Sequence, residues 1–115
     1  EVLTLAKAGD PCATLAVDMY CHRVQQAIGA LAATMGGVDA VVFSAGVGEN
    51  AALVREKIIS PLGFLGLEID PTLNRQATPD CDVACATSRG RVLVIAAREE
   101  LQMLREVEPL LAKRN

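Results

Sequence analysis

Two short apolar runs do most to limit what this chain can fold into: Asp39-Ala-Val-Val-Phe-Ser at 39–44 and Val92-Leu-Val-Ile at 92–95. Both are rich in β-branched residues and continuously apolar rather than alternating, the pattern of strands buried on both faces in a parallel sheet. Each is followed at once by a helical pattern. Parallel neighbours need a crossover between them, and a helix is the usual one. The order helix, strand, helix, strand, helix therefore predicts an α/β layered fold with the two strands parallel. Two strands make too little sheet for a comfortable domain. Residues Glu1 to Gly9 read as the tail of an element, so a truncated chain is expected, with further strands upstream.

The helices announce themselves by their ends. Asp10 as N-cap and Pro11 in the first helical position open a long helix, and Gly36-Gly37 close it. Leu15, Met19, Tyr20, Val24, Ala27, Ile28 and Leu31 recur at spacings of three and four and predict its apolar face. Asp18, His22 and Gln25 fall on the opposite face, with Asp18 and His22 as an ordinary surface pair. A second helix is expected from an Asn50 N-cap through Leu53, Val54, Ile58 and Ile59, and a last one from near Arg98 through Leu111. Leu67-Glu68-Ile69-Asp70 reads as one more short strand. Residues 71–90 show no sustained period and are expected to be a mobile loop.

Composition narrows the function. Of 115 residues, 51% are hydrophobic but only 3% aromatic, so the core must come from Ala, Leu, Val and Ile. A formal net charge of −3 with scattered basic residues offers no surface for nucleic acid or anionic membrane. No apolar run approaches the roughly 18 residues that span a bilayer. Cys12, Cys21, Cys81 and Cys85 lack zinc-site spacings, and His22 is not placed to complete such a site. They read as reduced thiols of a cytoplasmic protein.

Ligands of open parallel sheets collect beyond the C-terminal strand ends, and two segments arrive there. Gly46-Val47-Gly48-Glu49-Asn50 follows the first strand. Ala97-Arg98-Glu99-Glu100 follows the second. Gly46 and Gly48, lacking Cβ, would let backbone approach a ligand and adopt positive φ. The helix expected after them offers free N–H groups to an anion. Carboxylates at 99 and 100 suit a divalent cation carried by phosphates. Taken alone, such residues more often mean tight strand-to-helix packing and charges complementing a helix dipole.

The wording of the sequence adds to these patterns. Asp39-Ala-Val-Val-Phe-Ser-Ala-Gly-Val-Gly-Glu-Asn, continuing Ala-Ala-Leu-Val-Arg-Glu to 56, closely resembles the signature of acetate and propionate kinases. So do Phe64-Leu-Gly-Leu-Glu-Ile-Asp at 64–70, the helix ending in Met35-Gly-Gly, and Val92 to Leu101. The resemblance covers essentially the whole chain. It implies a three-layer ribonuclease-H-like fold of the actin and sugar-kinase superfamily, with residues 1–115 as the C-terminal part of the C-terminal domain. It implies Mg2+-dependent, reversible transfer of the γ-phosphoryl group of ATP to acetate or propionate, and a homo-oligomer. By motif, Gly46, Val47, Gly48, Glu49 and Asn50 fall on the nucleotide-binding turn and Glu99 on the magnesium-linked glutamate. Arg98 stands where the family usually has Asn, which alters the N-cap of the last helix and puts a guanidinium next to Glu99, where pairing with it would weaken a metal role. Ser44 replaces a more usual Thr and keeps the hydroxyl. No catalytic residue of the family matches a position here, so the chain is expected to be inactive alone. A stand-alone binding module and an unrelated α/β domain are the competing readings. An upstream extension of the reading frame would separate the first of these from a kinase segment.

Overall fold

The computed structural model describes residues 1–112. In chain order these form α1 (Val2–Lys7), α2 (Pro11–Met35), β1 (Ala40–Phe43), α3 (Ala45–Asn50), α4 (Ala52–Ile59), a 3-10 turn (Ser60–Leu65), α5 (Pro71–Arg75), β2 (Cys81–Asp82), β3 (Arg91–Val94) and α6 (Glu99–Ala112). Helix α2 begins and ends as its sequence dictates. The Ala13 N–H donates to Asp10 Oδ1 at 2.7 Å, Pro11 occupies the first turn, and Gly36 takes the left-handed conformation at φ 78°.

The sheet has the order β1-β3-β2. As expected, β1 and β3 run parallel, with Val41 opposite Val92 and Phe43 opposite Val94. Because the two strands are parallel and end opposite each other, the segments that follow them leave the sheet at the same edge. Val92 and Val94 are fully buried in the central strand. Around them pack Phe43, Val54, Ile58, Ile59, Leu62, Leu67 and Val83, with Val17 and Cys21 of α2. Burial pushes the Cys21 thiol pKa up, so this side chain packs as a small apolar group.

Three expectations need correcting. Residues 71–90 are not a featureless loop: they hold α5 and β2, and β2 pairs antiparallel with β3. A two-residue strand has no period for the sequence to show. The strand foreseen at 67–70 shrinks to one bridge between Ile69 and Ala84. It stops there because the Asp70 carboxylate accepts the Thr72 and Leu73 N–H groups and turns the chain into α5. The apolar face of α2 is also shifted. Ala13, Val17 and Cys21 are buried, whereas Leu15, Met19, Tyr20 and Leu31 are exposed. Helix α4 meets α2 along the border that carries Asp18 and Gln25. Lys57 pairs with Asp18 at 2.6 Å in place of the expected His22 partnership, and Gln25 Nε2 donates to the Lys57 carbonyl at 2.8 Å.

Behind the sheet edge lies a buried polar network. The Arg55 side chain, 2% exposed, donates through Nε to Asn74 Oδ1 and through a terminal nitrogen to the Asn74 carbonyl, both at 2.8 Å. Its other terminal nitrogen donates to the carbonyls of Gly48 and Glu49 at 2.8 and 2.9 Å. Asn74, fully buried, donates to the Ala52 carbonyl. Among the described residues no buried side-chain nitrogen or oxygen lacks a partner. Desolvation lowers the Arg55 pKa, and the four acceptors hold the charge in place.

Replacing Asn74 by Ala removes one acceptor from a buried guanidinium and the side-chain donor to the Ala52 carbonyl. The variant should lose about 3 kcal/mol of stability, read by urea unfolding. A loss below about 0.5 kcal/mol, the range of neutral surface changes, would mean the network is dispensable.

Candidate functional site

The segment after β1 is not the open turn that two glycines suggest. It is the six-residue helix α3, entered from Ser44, whose side chain makes no capping bond. Helix α4 begins separately after Ala51, whose backbone (φ −118°, ψ 78°) breaks the helical path. Asn50 is therefore the last residue of α3 rather than the N-cap of the next helix. Its amide donates back to the Gly46 carbonyl at 2.9 Å.

The glycines act through space and not through dihedral freedom. Neither Gly46 nor Gly48 has positive φ; the left-handed residue here is Ala45 at φ 59°. A Cβ on Gly48 would lie 3.1 Å from the Phe43 carbonyl carbon, so Gly48 lets α3 sit closely on the end of β1. A Cβ on Gly46 would meet nothing within 4 Å, so Gly46 faces open space. Val47 turns the other way, toward an apolar pocket of about 210 Å³ shared with Leu3, Val17, Tyr20 and Val54.

The two strand-end segments do come together. Ala45, Gly46 and Glu49 on one side and Ala97, Glu99, Glu100 and Met103 on the other line an open groove of about 430 Å³. Glu49 spans it: its Oε1 accepts the Ala45 N–H and the Ala97 N–H, each at 2.7 Å. Of the residues expected from sequence, the groove thus gathers Gly46, Glu49 and Glu99. Val47 and Gly48 face away from it, and Asn50 closes α3 on itself.

Glu99 and Glu100 form the first turn of α6, where carboxylates complement the helix dipole. No group of three His, Cys, Asp or Glu side chains among the described residues lies close enough to hold a metal. The donor set fits a hard cation such as Mg2+ only in its usual mode, with one or two carboxylates and the remaining ligands from phosphate oxygens and water. Arg98 does not pair with Glu99. Its guanidinium reaches Asp80, whose carboxylate also accepts the Ala96 N–H at 2.9 Å. Glu99 is left free of that partner.

Arg55, Asn74 and Asp80 support this site and were not recognised as doing so from sequence. A signal for the first existed: Arg55 falls between Val54 and Ile58 on the buried stripe of α4, where a charge must be satisfied. For Asn74 and Asp80 no local pattern points inward.

The sequence model of the family described as Acetokinase family matches residues 1–105. The acetate kinase of Gloeobacter violaceus is 49% identical over 98 residues, which are 85% of this chain and 24% of that protein. The crystal structure of Porphyromonas gingivalis acetate kinase matches with a TM-score of 0.85 and 35% identity, covering 96% of this chain and 28% of that one. The structure of a propionate kinase from Francisella tularensis matches with a TM-score of 0.78 and 38% identity, covering 87% of this chain and 25% of that one. The chain spans about a quarter of the length of the proteins it matches. The fold is the corresponding α/β piece of the actin and sugar-kinase superfamily to which those kinases belong.

The Asp80–Arg98 pair makes the start of α6 sensitive to acid. The Arg98 hydrogen bond, then the Ala96 N–H, hold the Asp80 carboxyl below the usual aspartate range. With the folded pKa depressed, the stabilisation is present above the unfolded value and lost as pH falls through the folded one, that is, below about pH 4. An NMR titration should find Asp80 depressed in the wild type and shifted upward in Arg98→Ala. Identical Asp80 titrations in the two proteins would refute the pairing.

Proposed function

The chain belongs to the acetokinase family, and on that premise we propose that it forms the nucleotide-side wall of an enzyme transferring the γ-phosphoryl group of ATP to acetate or propionate. The observation that carries the reading is the groove itself, which brings Gly46 and Glu49 from the end of β1 against Glu99 from the end of β3. The segment Gly46, Val47, Gly48, Glu49 and Asn50 is the nucleotide-binding element. Gly46, with open space where a side chain would be, lets the flat adenosine moiety lie against backbone. Gly48 and Val47 anchor the element to Phe43 and to the α1–α2 side. Glu99, with Glu100 beside it, would hold Mg2+, which when bound neutralises phosphate charge.

Transfer of a phosphoryl group further requires cations around the moving group and an in-line carboxylate nucleophile. The groove offers neither: its ionisable side chains are Glu49, Glu99 and Glu100. The acceptor pocket and the catalytic residues therefore belong to sequence outside these 115 residues, and the choice between acetate and propionate is made there. The four free cysteines agree with a cytoplasmic home. No helix among the described residues is long and apolar enough to cross a membrane.

A homo-oligomer is part of the same proposal. Strand β1 pairs only with β3 among the described residues, and Val42 on it is 56% exposed. Every residue of α6 from Glu99 to Leu111 is exposed, including Leu101, Leu104, Val107 and Leu111. An open strand edge and uncovered apolar faces promote association. Sedimentation of the 115-residue chain at tens of micromolar (roughly the range in which such surfaces pair) should reveal dimers or larger species. A clean monomer would count against it.

Function is tested by calorimetry and a coupled assay on the same chain. ATP with Mg2+ should bind weakly to the wild type and at least about tenfold more weakly, some 1.4 kcal/mol, to Gly46→Trp. No acetyl phosphate should form from ATP and acetate. Product formation after removal of contaminating kinase, or equal ATP affinity in the two proteins, would overturn the proposal.

A further inference from the structure

Glu49 makes the only hydrogen bonds by which one side chain among the described residues joins the two strand-end segments. We propose that Glu49 is a positioning residue, a strut whose single oxygen Oε1 sets the width of the groove between α3 and the start of α6. This rests on the nucleotide-site reading above, and deepens it: Glu49 serves the nucleotide by holding both walls rather than by ligating phosphate or metal.

Geometry supports the role at both ends. An ionised carboxylate oxygen has lone pairs for two donors, and the bonds to Ala45 N and Ala97 N are both short at 2.7 Å, as charge-assisted bonds are. Ala45 is the first residue of a helix with no side-chain cap, so its N–H is one of the orphan donors at a helix start. Its left-handed backbone, φ 59°, is costly for a residue with a Cβ and needs to be held by surrounding contacts. Glu49, four residues on, reaches back to satisfy that donor. Ala97 lies two residues before α6, so the same oxygen fixes where Glu99 begins its helix.

The strut is itself anchored. Arg55 donates to the Glu49 carbonyl at 2.9 Å and to the Gly48 carbonyl at 2.8 Å, and is locked in turn by buried Asn74. The line Asn74, Arg55, Glu49 backbone, Glu49 carboxylate, Ala97 thus runs from α5 to the mouth of α6. These bonds connect the Gly46 side of the groove to the segment that leads into Glu99.

The test compares Glu49→Gln and Glu49→Ala in the 115-residue chain. Amide hydrogen exchange at Ala45 and Ala97 is read by NMR, with the buried amides of Val92 and Val94 as the folding reference. In Glu49→Ala both Ala45 and Ala97 should exchange at least about tenfold faster, while Val92 and Val94 stay protected. Glu49→Gln keeps an acceptor oxygen and should restore most of the protection. ATP affinity should follow the same order, wild type near Glu49→Gln and both above Glu49→Ala. Unchanged exchange at Ala97 in Glu49→Ala overturns the strut. So does a Glu49→Gln protein that keeps both amides protected yet binds Mg2+-ATP as poorly as Glu49→Ala, since that outcome marks a charged ligand. A wild type that shows the exchange pattern but binds no ATP removes the nucleotide reading and with it the purpose assigned to the strut.

Discussion

A guanidinium enclosed in a protein interior must find acceptors for each of its nitrogens, and around Arg55 that requirement organises the site end of the molecule. Its acceptors come from three places: the last carbonyls of α3, the side chain of Asn74 and the backbone of α5. Helix α3 is too short to be stable by its own hydrogen bonds. It persists because its C-terminal carbonyls are held by Arg55, its first N–H by Glu49, and its underside by the contact of Gly48 with Phe43. Helix α5, which carries Asn74, is tied to α3 and α4 by the same bonds.

The sheet supplies the frame on which this network acts. With β3 central and fully buried at Val92 and Val94, the ends of β1 and β3 are held side by side. Glu49 and Asp80 then tie the backbone beyond those ends, at Ala97 and Ala96 respectively. Two carboxylates thus secure adjacent amides of one segment from opposite sides, and Glu99 follows directly. A groove built this way presents three carboxylates, backbone and the Met103 side chain.

Much of the frame was legible in the sequence, for reasons that can be named. Asp10, Pro11 and Gly36 bound α2 because capping chemistry is local. The apolar runs around Val41 and Val92 were strands, and parallel, because two-sided burial and helical crossovers leave few alternatives. The glycine-containing segment and Glu99 were recognisable as neighbours because right-handed crossovers bring both to one sheet edge. What failed also has physical causes. Leu15, Met19 and Leu31 follow a sound helical period yet remain exposed, since period says which residues share a face and not which face is covered. Gly46 and Gly48 invite an open turn, but Ala45 takes the left-handed backbone and the glycines continue a helix.

The amino-acid sequence by itself determined the long helix α2, the strands β1 and β3, their parallel pairing and the family, all of which rest on local chemistry or on short motifs. Only the tertiary structure decided the partners of the charged groups. Lys57 takes Asp18 from His22, Asp80 takes Arg98 from Glu99, and Arg55 takes carbonyls that no spacing rule connects to it. The reason is that a charge settles wherever folding leaves acceptors within about 3 Å. That distance is set by how whole elements pack and not by separation along the chain.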